Sequence, residues 1–348
     1  MIYLDYQATT PLAPEAFAAM EPWLKGGFAN PHSVHAAGRA AAAAVEVTRE
    51  QVAALLPSGG RVIFTSGATE SINLAIKGSG MPIIAAATEH AAVLDCVEHL
   101  GGTSFAVGSD GNADIGYISS GLSAVMLINN EIGTIQPVAE LAAAAHAQGG
   151  VFLCDAVQAY GRMPIPDGPD MIAISSHKIF GPKGIGALWV RDGIKLEPQM
   201  HGGGQEQGLR SGTLSPALCA GFGAAAKLAA ERMVADAAHV SALWDRAIAA
   251  FADWTINGPL THRYKGNLNI RRDGVDVGRL MSECRNLAFS AGSACASGSG
   301  RPSHVLRAIG LTDAQAKSSI RLGFGRYTTP EEIDIAAATI NWAAEAML

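Results

Sequence analysis

From about residue 60 onward, short apolar runs alternate with stretches of helical spacing. "RVIFT" at 61–65, "PIIAAA" at 82–87, "SAVMLIN" at 123–129, "GVFLCD" at 150–155 and "DMIAISS" at 170–176 each read as a strand. Helical stretches such as "HAAVLDCVEHL" and "PVAELAAAAHAQ" stand between them. The runs are continuously apolar and do not alternate with polar residues, as expected of strands covered on both faces. Strand and helix in this rhythm predict an α/β protein with a largely parallel central sheet. A long helical region follows over 216–251, and then the pattern changes. "WTINGP", "GNLNIRR" and "LAFSAG" read as short strands, with helices between them and at the end. The expected division is a large domain over 15–250 and a smaller α+β domain built from 1–14 and 251–348.

Composition narrows the class. The 348 residues, 49% of them hydrophobic and 16% charged, are enough to bury a sizeable core and are unlike a disordered chain. A net charge of −6 argues against nucleic acid or an anionic membrane as the main partner. No uninterrupted apolar run reaches the roughly 18 residues of a membrane span, and the first residues lack a basic segment followed by an apolar one. The five cysteines include no pair with zinc-site spacing. The expectation is a reduced, cytoplasmic protein without a metal site.

In open α/β sheets ligands bind beyond the carboxyl ends of the strands. "RVIFT" is followed by "SGATES" at 66–71, small and hydroxyl residues entering a helix, where backbone N–H groups form a phosphate cup or a simple helix cap. The next four strands deliver Glu89 and His90, then Asn130 and Glu131, then Asp155 with Gln158, then Ser175, Ser176, His177 and Lys178. Five strand ends supplying polar groups to one edge point to a shared pocket. A phosphate cup, a ring partner, a carboxylate and a lysine fit pyridoxal phosphate. Its aldehyde condenses with a lysine amine, and an acid keeps its ring nitrogen protonated. Asp155 is the candidate acid, Lys178 the candidate amine, and Ser175 and His177 candidate phosphate contacts.

"LDYQATTP", "NPHSVH", "FTSGATES", "TEH", "NNEIG", "CDAVQAYG", "SSHKIFGPKGIGAL", "HGGGQEQGLRSGT" and "GSACASGSGRPSHVLRAIG" occur in this order over nearly the whole chain. Together they resemble the cysteine desulfurases of the class V aminotransferase family, in the group with a long, mobile cysteine loop that feeds iron–sulfur clusters. The resemblance implies a pyridoxal-phosphate transferase of the type I fold, acting on L-cysteine as a homodimer and passing sulfur to an acceptor protein such as an iron–sulfur scaffold. It also implies roles. Ala68 and Thr69 would bind the phosphate, His90 would stack on the ring and move protons, Asn130 would approach the ring oxygen or substrate, and Gln158 the phenolic oxygen. Thr213 would reach the phosphate of the neighbouring subunit, Arg326 would clamp the substrate carboxylate, and Cys295 would carry the sulfur. One departure is visible: the family's R-x-S-x-G-R reads "RLGFGR" here, with Gly323 in the serine position. An aminotransferase or selenocysteine lyase would share the cofactor residues, and a non-catalytic scaffold the fold. Cys96, Cys154, Cys219 and Cys284 fall in helical or strand patterns and read as buried structural thiols.

Overall fold

A computed structural model describes residues 1–292 and 302–348. Cys295 and Arg301 lie outside the described residues. The central sheet has seven strands, in the spatial order Gly60–Thr65, Gly186–Arg191, Met171–Ser175, Val151–Asp155, Leu122–Ala124, Ile83–Ala86 and Thr103–Phe105. Every pairing is parallel except the two made by Gly186–Arg191, which runs antiparallel to both neighbours. Successive residues of each strand go to opposite faces. Phe64, Phe152, Ile172 and Trp189 join one core, while Ile63, Leu153, Met171 and Leu188 join another on the far side. Both faces are dry, which is why the strands carry no polar alternation.

A second, four-stranded antiparallel sheet is ordered Ser290–Ala291, Ser319–Gly323, Asn267–Arg271 and Thr255–Ile256. The N-terminal strand Ile2–Tyr3 runs parallel to Leu287–Ala288 beside it. The helix Pro216–Ala250 is 35 residues long, about 52 Å at 1.5 Å per residue. Its first half gives Cys219, Phe222, Ala225, Ala226 and Ala229 to the core against the large sheet. Its second half gives Val240, Leu243, Trp244 and Ala247 to the core against the small sheet. Ser215 starts it by accepting from the Leu218 N–H, with Pro216 in the first turn, where no amide donor is needed.

Candidate active site

The parallel strands Val151–Asp155 and Met171–Ser175 are neighbours, so their last residues emerge side by side. Gly60–Thr65 ends at the same edge, because the strand between it and Met171–Ser175 is antiparallel and begins there at Gly186, paired with both Thr65 and Ser175. A Cβ on Gly186 would lie 2.8 Å from the Gly67 backbone and 2.6 Å from the Ile174 carbonyl oxygen. Glycine at 186 therefore lets the start of helix Ala68–Ser79 settle onto the sheet edge. That helix has no side-chain cap at its N-terminus. Its free first-turn amides and positive dipole end face a cleft of about 530 Å³.

Nine of the expected residues line this cleft: Ala68, Thr69, His90, Asn130, Asp155, Gln158, Ser175, His177 and Lys178. Gln7, Ser66, Glu70, Lys183 and Arg321 add further polar groups to its wall.

Lys178 ends a short 3₁₀ turn, Ser176–Lys178, that continues the strand Met171–Ser175. The N-terminal segment clamps this turn. Thr10 donates to the His177 carbonyl through both its amide and its Oγ1, each at 2.9 Å, and its Oγ1 accepts from the Phe180 N–H at 2.7 Å. Phe180 is held at φ 68°, unusual for a residue with a bulky side chain. Lys178 Nζ rests on two backbone carbonyls, donating to Gln7 O at 2.5 Å and Ala8 O at 2.8 Å. Burial, with Arg162 and Arg321 nearby, pushes the amine down to about 7, against the opposing pull of Asp155 and Asp5. An amine near neutrality can act as nucleophile and as base.

Asp155 Oδ1 accepts from the Val157 N–H at 2.9 Å, and its other oxygen has no donor among the described residues. Burial raises the Asp155 carboxyl above its usual range, opposed by the Val157 N–H, His90 and Lys178. His90 caps the helix Ala91–His99, its Nδ1 accepting from the Ala92 N–H at 3.1 Å. A neutral ring must then carry its proton on Nε2. Burial lowers the His90 pKa and favours that neutral form, with Asp155 pulling the other way. Behind it Glu89 is fully buried; Oε1 accepts from the Met126 N–H at 2.7 Å and Oε2 has no donor among the described residues. Burial, then Asp155, pushes this carboxyl well above its usual range. Gln158 donates to Gln7 O at 3.0 Å and accepts from Arg162, which also donates to the Lys178 carbonyl. His177 Nδ1 lies 3.1 Å from Thr9 Oγ1.

Two expected residues are not brought to the cleft. The reading of Arg326 as the substrate clamp is corrected. Its guanidinium pairs with Asp236 of the long helix at 2.8 Å and lies 4.3 Å from the centre of the Phe180 ring, off the cleft. Arg321, in the strand Ser319–Gly323, takes the place on the cleft wall, 1% exposed. Its fork donates to Asp5 Oδ1 at 2.8 Å and the Asn130 carbonyl at 3.0 Å, and its Nε has no acceptor among the described residues. Thr213 is exposed and absent from the cleft wall. Besides Arg321, sequence reasoning passed over Gln7, Thr9, Thr10 and Arg162. The "QATT" run was the available signal for the first three.

Cys96, Cys154, Cys219 and Cys284 are all buried, and burial raises each thiol; Cys219 reaches about 12. None of these four is poised as a thiolate. Among the described residues no helix is long and apolar enough to cross a membrane, and no cluster of three or more His, Cys, Asp or Glu side chains is placed to hold a metal ion.

A lysine amine, a buried carboxylate and an uncapped helix start in one cleft at a sheet edge define a pyridoxal-phosphate enzyme of the type I fold. The class V aminotransferase model matches residues 2–335, and the chain belongs to that family, whose enzymes depend on pyridoxal phosphate. Within it the chain is similar to proteins named as desulfurases. "Cysteine desulfurase IscS" of Methylococcus capsulatus is 44% identical over 98% of this chain and 91% of the relative. That of Rickettsia bellii is 42% identical over 97% and 90%, and "Probable cysteine desulfurase, mitochondrial" of Dictyostelium discoideum 42% over 96% and 80%. The solved NifS-like protein from Rickettsia africae superposes with a TM-score of 0.91 at 27% identity, covering 99% of both chains.

Proposed function

We propose that the protein is a pyridoxal-phosphate-dependent cysteine desulfurase that converts L-cysteine to L-alanine. It passes the sulfur, as a persulfide on Cys295, to an acceptor protein for iron–sulfur cluster assembly or thiolation. The observation that carries this reading is the Lys178 amine, close to neutrality and resting on Gln7 and Ala8, in one cleft with Asp155, His90 and the open start of helix Ala68–Ser79.

The residues present fit the cofactor. The uncapped amides at Ala68 and Thr69, with Ser175 and His177, form a cradle for its phosphate. The open oxygen of Asp155 suits a protonated ring nitrogen, whose charge would restore the ionisation that burial opposes. Gln158 would meet the phenolic oxygen, His90 the ring face, and Lys178 the aldehyde. Bound there, the cofactor supplies an electron sink for charge developing at the substrate Cα.

The chain's own groups do the rest. The neutral Lys178 amine takes the proton from Cα, and its two carbonyl acceptors hold the ammonium that results. The Arg321 guanidinium, fixed by Asp5 and Asn130, faces the substrate carboxylate. His90 Nε2–H offers a proton over the cleft. The Cys295 thiolate attacks the substrate sulfur: an S–S bond forms, the Cβ–S bond breaks, and its electron pair stays on Cβ, where a proton replaces the sulfur. The step is redox-neutral overall and leaves alanine and a protein persulfide, a reversible cap on the thiol. The exposed Thr213 suits a homodimer in which it reaches the partner's phosphate, and the protein would act in the cytoplasm.

The test is the assay of alanine and sulfide from L-cysteine with a reductant. Cys295→Ser should lose both products while keeping the visible absorption of bound cofactor, and Lys178→Ala should lose both products and that absorption band. Undiminished sulfide release from Cys295→Ser would overturn the mechanism.

A further inference from the structure

We propose that Gln7 is a positioning residue for Lys178, and that residue 323 is glycine because the Gln7 side-chain amide occupies the space a side chain would need there. The lysine's catalytic role rests on the function proposed above; the placement of its amine does not.

Gln7 is 2% exposed and ties the two halves of the molecule together. Its side-chain Nε2 donates to the Gly266 carbonyl at 2.6 Å, at the entry to the small-sheet strand Asn267–Arg271. Its backbone carbonyl accepts from Lys178 Nζ at 2.5 Å and from Gln158 Nε2 at 3.0 Å, both in the large domain. The side chain is therefore the anchor, and the peptide oxygen is what the anchor holds in place. The side chain has one partner, the Gly266 carbonyl, and the two groups from the large sheet's edge meet the backbone oxygen that this side chain steadies.

Gly323 is extended strand, paired with Asn267, and its backbone requires no left-handed conformation. Glycine is there for room. A Cβ would fall 1.7 Å from Gln7 Oε1 and 2.7 Å from its Cδ, with the Tyr6 amide nitrogen next at 2.9 Å. Gln7 Oε1 has no donor among the described residues and sits where a Cβ at 323 would be, so any larger residue there would have to displace the Gln7 amide. Arg321 and Gly323 are two apart on one strand and share a face. A side chain at 323 would thus stand beside the carboxylate-facing arginine; here the Gln7 amide takes that volume. The glutamine and the glycine are one feature.

The test uses Gln7→Ala, Gly323→Ala and the double variant, with two readouts on cofactor-free protein. One is the pH dependence of Lys178 acetylation by acetic anhydride, followed by peptide mass spectrometry. The other is thermal unfolding. Losing the anchor loosens the carbonyl that holds the ammonium. Gln7→Ala should therefore raise Lys178 reactivity at pH values more than a unit below its pKa by about threefold, half a pKa unit. Gly323→Ala should do the same in the parent and add nothing in the Gln7→Ala background, because both act through one amide. If Gly323→Ala fails to fold in the parent, its recovery in the Gln7→Ala background supports the steric half, and Gln7→Ala alone still reads the positioning half. Equal effects of Gly323→Ala in both backgrounds, or an unmoved Lys178 profile in Gln7→Ala, would overturn the proposal. Failure of the parent to release sulfur from L-cysteine would defeat the proposed function and leave this labelling result intact.

Discussion

His177 carries a consequence of burial that can be measured without any substrate. Burial, then the nearby Lys178, Lys183 and Arg162 charges, push its pKa from the ordinary 6.5 down to about 4. Between those values the unfolded chain binds a proton that the folded protein refuses, so this residue's contribution to stability falls as pH drops from about 6.5 to about 4. In cofactor-free protein the thermal midpoint of His177→Gln should fall less over that window than the parent's. Equal slopes would contradict the assigned environment. At this scale the strand-end residues were legible because each follows an apolar run directly. Arg321 was not. Both arginines of "RLGFGR" have the same chemistry, and only the strand end at Gly323 separates them. Arg321 lies within the paired strand; Arg326 lies beyond it, where Asp236 of another element captures it. Gln7 was also hidden, since no local pattern announces a clash with a residue more than 300 positions away.

The strands that read most clearly were those with runs of β-branched and aliphatic residues buried on both faces. Gly186–Arg191 was missed because the glycines of "GPKGIGAL" look like loop, although Gly186 is there to admit a helix start. Ser319–Gly323 was missed because a fully buried arginine interrupts its apolar pattern. "SAVMLIN" gave a strand of only three residues, Leu122–Ala124, displaced to the start of the run. The helix over 216–251 was placed to within a residue, its Ser-Pro start being an unambiguous signal. What its periodicity could not show is that it serves two cores. Phe222, packed edge-on against Phe64 and Tyr160, belongs to one, and Trp244, with the Arg263 guanidinium 4.1 Å from its ring centre, to the other. Truncating either to alanine should cost about 3–5 kcal/mol. Because one helix seats both cores, each substitution should shift a single urea transition followed by tryptophan fluorescence. Two separated transitions, with Phe222→Ala moving only one, would show that the cores unfold independently.

At the scale of the molecule, the cleft is assembled from both halves. Lys178, Asp155 and His90 stand on the large sheet's edge, Arg321 comes from the small sheet, and the N-terminal segment laces the two together through Gln7 and Ala8. The parallel sheet makes this economical, since its strand ends converge on one edge. The fold class and most of the residues that line the cleft were readable for that reason. In the proposed function the sulfur-carrying step depends on Cys295, which lies outside the described residues. The most direct measurement of the central claim is the mass of the Cys295 peptide after one turnover with L-cysteine and no reductant. The account predicts one additional sulfur on Cys295, removable by a thiol reductant, in proportion to the alanine formed. Alanine formed with Cys295 unmodified, or with the sulfur on another cysteine, would contradict it.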